Sequence, residues 1–424
     1  MVALEASRAP QGSSAFFVVV LLAIAALLGG IDRFVLAILV QPIKHDLALS
    51  DVQVGLLIGF AFTICNAIAA VPLARYADRG WRRMVLTGSI VGWSVATALC
   101  GAAQSFAQIF GARILVGTGE AGLSPSTYSF ISENYPPERR SLPIGMFIAG
   151  IGSGIVVGFA VGGQLAQLVG WRLTFVAVAL PGLVLAPIVG YALRGQQAVR
   201  MGRNGTLGAP TSLLFVWKEL LRNGKFRQLV LAFVLNGFVL YGQSQWSPAF
   251  YQRRFFLNPA DAGWLLALTT GMGTLIGMIG GGFIADYFAR ANPRWPLRQV
   301  VFGLAVGQPI ALAAFCVPTL ALSLACAFVG TLIRSLANAP LTAEVTTTVP
   351  RGAIASAMAI VILAQSLIGT GAGPFYIGAI SDLLHASLGS ADALRWGLIA
   401  TAPFALWGLV HVVLSARATH SAPA

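Results

Sequence analysis

The chain alternates between long apolar runs and short polar breaks. A helix needs roughly 17–25 apolar residues to cross a bilayer, and runs of about that length recur along it. In the first half they cover 15–43, 52–74, 84–103, 107–133, 142–167 and 172–194. In the second they cover 228–251, 262–288, 298–317, 320–347, 353–381 and 391–415. The pattern predicts an all-α membrane protein with twelve transmembrane helices, referred to below as spans 1 to 12. It also predicts two bundles of six, 1–194 and 228–424, joined by the polar linker 195–227. Within the linker, "SLLFVWKELL" has the amphipathic pattern of a short interfacial helix. The polar start with Arg8, followed by no small-residue cleavage site, predicts that the first run is a retained signal anchor.

Composition fits that pattern. Only 10% of the 424 residues are charged and 57% are hydrophobic, with mean hydropathy +0.80. Soluble domains carry about 25% charged residues, so a water-soluble fold would need a very large core and almost no polar surface. The net charge of +13 does not point to nucleic acid, because the basic residues gather between apolar runs. Of 27 Lys and Arg, five (Lys44, Arg172, Arg253, Arg254, Arg395) fall on one side of the predicted spans and 19 on the side of the termini. The positive-inside rule then predicts both termini in the cytoplasm, in a bacterial inner membrane. Cys65, Cys100, Cys316 and Cys326 all lie in apolar runs without a C-x-x-C pair, as packing residues do.

Two stretches echo each other. "ARYADRGWRR" (Ala74–Arg83) follows span 2, and "GFIADYFAR" (Gly282–Arg290) follows span 8. Each sets a small residue four positions before an aspartate, Asp78 or Asp286, with Arg79, Arg82 and Arg83 or Arg290 behind it. Such internal repeats mark transporters built from two related halves.

Ionisable residues inside the spans cost about 2.5–3.5 kcal/mol each on insertion scales, so they face the bundle interior and pair. Asp32 and Arg33 sit in span 1, and Arg113 and Glu120 in span 4. Two acids and two bases can neutralise one another. Arg113, Gly117 and Glu120 share one helix face, whereas the neighbours Asp32 and Arg33 point about 100° apart and need not pair. A gating arrangement would let Arg33 alternate between Asp32-side and Glu120-side contacts. Burial and a nearby arginine act on a carboxyl in opposite senses, so such a group can exchange a proton as access alternates. A static ion-pair cluster is the other reading. In span 10, Arg334 sits near the counterpart of Arg113 with no acid close in sequence. It could hold an anionic head group or a structural partner from another helix. Asn236, Tyr241, Gln243, Gln245 and Trp246 in span 7, with Gln365 and Tyr376 in span 11, could add polar cavity wall or bind helix to helix.

Together these elements resemble the major facilitator superfamily. Its loop motif, G-x-x-x-D-R-x-G-R-R, is matched by Ala74, Asp78, Arg79, Arg82 and Arg83, with Ala74 and Trp81 replacing the glycines. The resemblance implies a cytoplasmic gate there, Asp78 capping a helix and pairing with arginines, with Asp286 and Arg290 as the second-half counterpart. R-x-x-x-G-x-G-E-A at Arg113–Ala121, followed by Ser124-Pro125, and D-R-F at Asp32–Phe34 are similar to the Spinster branch. Gly145, Gly154, Gly158, Gly162 and Gly163 fit the superfamily's antiporter spacing, with Phe159 at the proline position. Close packing through small residues explains that spacing equally well.

The resemblance implies a proton-coupled secondary transporter working by alternating access. Asp32 and Glu120 would couple protons, with Arg33 and Arg113 as charge partners. The substrate would be amphipathic, a lysophospholipid or sphingoid-like lipid; organic-anion symport or multidrug/proton antiport is the alternative. The expected energy source is a proton gradient, with no cofactor, metal or nucleic acid, and a monomeric protein among membrane lipids. An enzyme or ATP-driven pump is disfavoured, since the chain has no H-E-x-x-H, G-x-S-x-G or G-x-x-x-x-G-K-[ST].

Overall fold

The computed structural model describes residues 12–136, 139–194, 220, 222–292, 294–349 and 354–418. Among these residues every regular element is helical. The interfacial helix expected in the linker falls almost wholly outside the described residues, as does the start of the anchor.

Six continuous helical runs among the described residues are long and apolar enough to cross a membrane. Three of them, Asp51–Gly101, Ser141–Ala192 and Ile360–Ala416, have 51, 52 and 57 residues. A straight helix of that length would reach roughly 77–86 Å, more than twice the hydrocarbon thickness of about 30 Å. Each is broken at a glycine with positive φ, Gly80 (98°), Gly170 (77°) or Gly389 (76°). Glycine reaches that region without a Cβ clash, so each run is two spans joined at a tight corner. Gly170 and Gly389 have nearly the same ψ, 168° and 169°. The corner between spans 5 and 6 thus recurs between spans 11 and 12, as two related halves require.

Prolines set further breaks. Span 4 is Phe106–Glu120 followed by Leu123–Asn134, and span 10 is Leu320–Ser335 followed by Asn338–Thr347. Pro125 and Pro340 cannot donate to the carbonyl four residues back, and their rings crowd it; the breaks begin at Ala121 and Leu336. This register places Arg334 opposite Gly119, beside the counterpart of Glu120. The expectation that it lies near the counterpart of Arg113 is corrected by about a turn and a half. Span 2 also departs from the continuous helix expected. It is Asp51–Ile58 and Phe60–Tyr76, interrupted at Gly59, whose backbone presses on Gly371 of span 11: a Cβ there would lie 2.3 Å from the Gly371 oxygen.

Among the described residues, the packing that joins the two halves is concentrated toward one end. One core cluster runs from the first half into Trp246, Phe250, Ile377 and Leu398 of the second. Another, from Leu220 and Phe226 at the end of the linker to Val345 and Val412, takes in no residue of the first half. The halves meet at the end away from the chain termini, the distal end, and between them a cavity runs toward the terminal end.

Candidate functional site

Span 1 (Gly12–Asp46) carries the first charged pair on a locally crowded helix. Gly30 touches Gly154 of span 5 so closely that a Cβ on Gly154 would lie 2.5 Å from the Gly30 Cα. Gly29 leaves room for the Glu120 carboxylate, whose Oε2 would stand 3.4 Å from a Cβ there. The stretch "GGIDR" is therefore built to bring span 1 against spans 4 and 5.

The four charges of the first half form two crossed pairs. Arg113 Nη1 donates to Asp32 Oδ2 at 2.8 Å, and Thr97 Oγ1 donates to Asp32 Oδ1 at 2.6 Å. Both charged side chains of that pair are 2% exposed. Arg33 donates to Glu120 Oε2 from Nε at 3.0 Å and from Nη2 at 2.5 Å. Here the side-chain exposures are unequal, 29% for Arg33 and 3% for Glu120. Glu120 Oε1 has no hydrogen-bond partner among the described residues. Phe62 packs beneath both guanidinium groups, with centroid distances of 4.5 Å to Arg33 and 5.6 Å to Arg113. Asp32 and Arg33 are not each other's partners, and the Arg33–Asp32 contact is not made in this conformation.

Arg33 and Tyr241 stand between two spaces. On the terminal side lies a cavity of about 310 Å³, whose wall runs past Ile148, Met278 and Thr342. On the distal side lies a polar chamber of about 100 Å³, lined also by Arg113, Asn66 and Gln245. The main cavity is mostly apolar. Its polar wall includes Arg33, Asn236, Tyr241, Gln365 and Arg334. Arg334 is buried, and its Nη1 donates to Gln243 Oε1 at 2.9 Å and to Gln308 Oε1 at 3.1 Å. No carboxylate pairs with it among the described residues, so it faces the cavity as an uncompensated cation.

Three expected wall residues lie elsewhere. Gln243 is drawn into the Arg334 network and donates to Thr401 Oγ1 at 3.0 Å. Trp246 is fully buried and donates to the Pro374 carbonyl at 2.8 Å, sealing span 7 against span 11. Tyr376 packs on Phe238 and Phe404 and donates to the Ala400 carbonyl. Helix–helix contact wins at all three because each polar atom finds a partner inside the half: backbone carbonyls for Trp246 and Tyr376, the Thr401 hydroxyl and the Arg334 guanidinium for Gln243. Gln308 had no distinguishing signal in the sequence.

The hydrogen bonds between halves gather at the distal end. Span 7 runs on as a helix to Phe255, Gly224–Phe255 in all, and Arg253 in this extension grips Asp51 at the start of span 2 with both ends of its guanidinium, at 2.7 and 2.6 Å. Lys44 and Ser381 bind the same carboxylate. Asp382 of span 11 caps the span 2 helix, accepting from the Asp51 and Val52 amides at 2.9 and 2.7 Å. Sequence reading missed this cluster, since its members are scattered near the ends of apolar runs.

At the terminal end, Arg82 does not pair with Asp78. It donates to Glu133 Oε2 at 2.7 Å and to Ser129 Oγ at 2.9 Å, while Ser129 donates to Asp78 at 3.3 Å. The motif therefore closes on span 4 of its own half. Arg79, Arg83, Asp286 and Arg290 are exposed, as suits an end where the halves stand apart. The glycines of the antiporter spacing divide in role. Gly154, Gly158 and Gly162 receive span 1, while Gly163 meets Gly263 of the other half.

The sequence profile of the Major Facilitator Superfamily matches residues 22–374. A protein of Mycolicibacterium smegmatis described as an MFS-type efflux pump is 33% identical over 396 residues, 92% of this chain and 90% of that protein. Protein spinster of Drosophila melanogaster is 26% identical over 388 residues, 88% of this chain and 63% of that protein. Among solved structures, a bacterial homologue of the human lysosomal transporter Spinster, inward-facing and unoccupied, superposes with TM-score 0.87 at 25% identity. The match covers 98% of this chain and all of that one, 100%.

Proposed function

The chain belongs to the major facilitator superfamily and is a multi-pass membrane transporter, and on that premise we propose that it is a proton-coupled carrier of an amphipathic anion. The observation that carries this reading is the cavity itself: Arg334 and Arg33 face an otherwise largely apolar space. A cationic spot on an oily wall suits a molecule with an anionic head and an apolar body, such as a lysophospholipid or a sphingoid phosphate. With the distal end closed and the cavity leading to the terminal end, substrate enters from the side of the termini, read as cytoplasmic from the loop charges.

Glu120 is the proton site best supported by the geometry. One bond pair holds Arg33, and protonating Glu120 neutralises the charge that holds it. Arg33 is then free for the substrate's anionic group, or for the Asp32 side. Asp32, expected to share this role, is tied on both oxygens by Arg113 and Thr97 and serves to position span 4 against span 1. Alternation would break the Asp51–Arg253 contacts at the distal end and bring the two loop motifs together at the terminal end, without a cofactor, in a single chain.

A second reading has specific support. The Mycolicibacterium smegmatis relative is described as an efflux pump, and a Bacillus subtilis hexuronate transporter is 25% identical over 283 residues. A screen in sealed vesicles separates the readings. Lysophospholipids, sphingoid phosphates, hexuronates and cationic dyes are offered with and without a pH gradient. Gradient-driven movement of the lipids supports the proposal; movement of hexuronates or dyes alone replaces it with organic-anion transport or drug efflux.

A further inference from the structure

A second concave site lies on the outer face of the first half, away from the transport cavity. It is a groove of about 440 Å³ between spans 2, 3 and 4 near the terminal end, with Leu73, Tyr76, Trp81, Met84, Gly88 and Gly119 on its wall. Its lining is almost wholly apolar. Tyr76 and Trp81 are 53% and 54% exposed, aromatic rings of the kind that settle at head-group depth. Arg75, Arg79 and Arg83 are exposed around the corner between spans 2 and 3, and none has an ion-pair partner among the described residues. Arg82, between them, is already engaged by Glu133. Apolar groove, aromatic rim and free guanidinium groups thus follow one another in the order of a phospholipid's tail, glycerol region and phosphate.

We propose that this groove seats one anionic phospholipid of the surrounding leaflet, its acyl chain along Met84, Gly88 and Gly119 and its phosphate at Arg79 and Arg83. Guanidinium pairs with the phosphate oxygens of any phospholipid, and net charge selects the head group, because the quaternary ammonium of phosphatidylcholine offsets its own phosphate whereas phosphatidylglycerol stays anionic. The groove is open at Gly88, whereas Gly119 lets span 4 close on span 3, a Cβ there lying 2.5 Å from the Trp93 backbone nitrogen. A Cβ on Gly88 would meet nothing within 4 Å, so there is space for a chain to fill. Gly119 directly precedes Glu120 on span 4, and successive helical residues point about 100° apart. A lipid on the groove therefore braces the same turn that presents Glu120 to Arg33, just before the break at Ala121. The site does not depend on which substrate the cavity carries.

The test uses the full chain in detergent and native mass spectrometry, with phosphatidylglycerol and phosphatidylcholine of matched acyl chains. One phosphatidylglycerol should be retained in preference to phosphatidylcholine, by roughly fivefold for each engaged arginine. Gly88→Leu should fill the groove and abolish that retention. Arg79→Gln with Arg83→Gln should keep lipid binding but lose the preference between head groups. Equal retention of the two lipids by the unaltered chain overturns the anionic assignment. Undiminished phosphatidylglycerol binding by Gly88→Leu overturns the site. Should Gly88→Leu fail to fold, Thr118→Leu fills the same groove from span 4 and is read in the same way.

Discussion

Replacing Asp32 by Asn removes the counter-charge of Arg113 while leaving its shape. Both side chains of the pair are 2% exposed, so water cannot replace the lost partner. Removing one member of a buried ion pair costs about 3–5 kcal/mol, chiefly from the stranded charge. The asparagine oxygen can still accept one hydrogen bond, which places the expected cost near 3 kcal/mol. Removing both charges, as Asp32→Leu with Arg113→Leu, strands no charge, only the Thr97 hydroxyl, and should cost less than Asp32→Asn alone. Glu120→Gln is the control. Its partner Arg33 keeps 29% of its side chain exposed at the cavity, so solvation supports the freed cation and about 1 kcal/mol is expected. The assay is reversible unfolding in mixed micelles, comparing the unaltered chain, Asp32→Asn, Glu120→Gln, the two leucine single variants and their double. A larger loss for Glu120→Gln than for Asp32→Asn would refute the division into a structural pair and a working pair. So would a double variant as unstable as the two leucine single variants added together.

Three further outcomes follow from the same geometry. Gly154→Val forces span 5 away from Gly30 and should lower stability by about 1–3 kcal/mol, seen as early thermal aggregation, whereas Gly145→Ala, where an added Cβ meets nothing within 4 Å, should be silent. Arg253→Ala removes the bidentate hold on Asp51 and should shift the population toward distal opening, read as faster alkylation of Ile58→Cys by a reagent added from the distal side; an unchanged rate would show that packing alone closes that end. Arg334→Gln should weaken binding of anionic amphiphiles at least tenfold, about 1.4 kcal/mol, in equilibrium binding to the purified protein, with Arg334→Lys in between; equal binding by all three would remove Arg334 from the substrate site.

Much of this was legible in the chain. Apolar run length announced the all-helical membrane fold, with six helical runs long and apolar enough to cross a membrane among the described residues, and adjacency on a helix already separated Asp32 from Arg33. The loop echo around Asp78 and Asp286 announced two related halves. What escaped reading depends on contacts between distant segments. Nothing near Asp51 in sequence announces Arg253 or Ser381, because the gate forms only when spans 2, 7 and 11 meet. Glu133 carries no signal of its role, because an acid near a span end has the same pattern whether it is solvated or paired. Trp246 and Tyr376 looked like cavity wall, since periodicity shows that a residue is inward but not whether inward means cavity or neighbouring helix. The glycine spacing in span 5 carried two readings, and its contacts with span 1 account for most of it as close packing.

The central claim is that Glu120 carries the coupled proton. The direct test loads proteoliposomes with the best substrate from the vesicle screen and imposes a pH gradient on the unaltered chain and on Glu120→Gln. The account predicts gradient-driven accumulation by the unaltered chain, and for Glu120→Gln exchange of substrate that ignores the gradient. Accumulation by Glu120→Gln that follows the gradient as in the unaltered chain would contradict it.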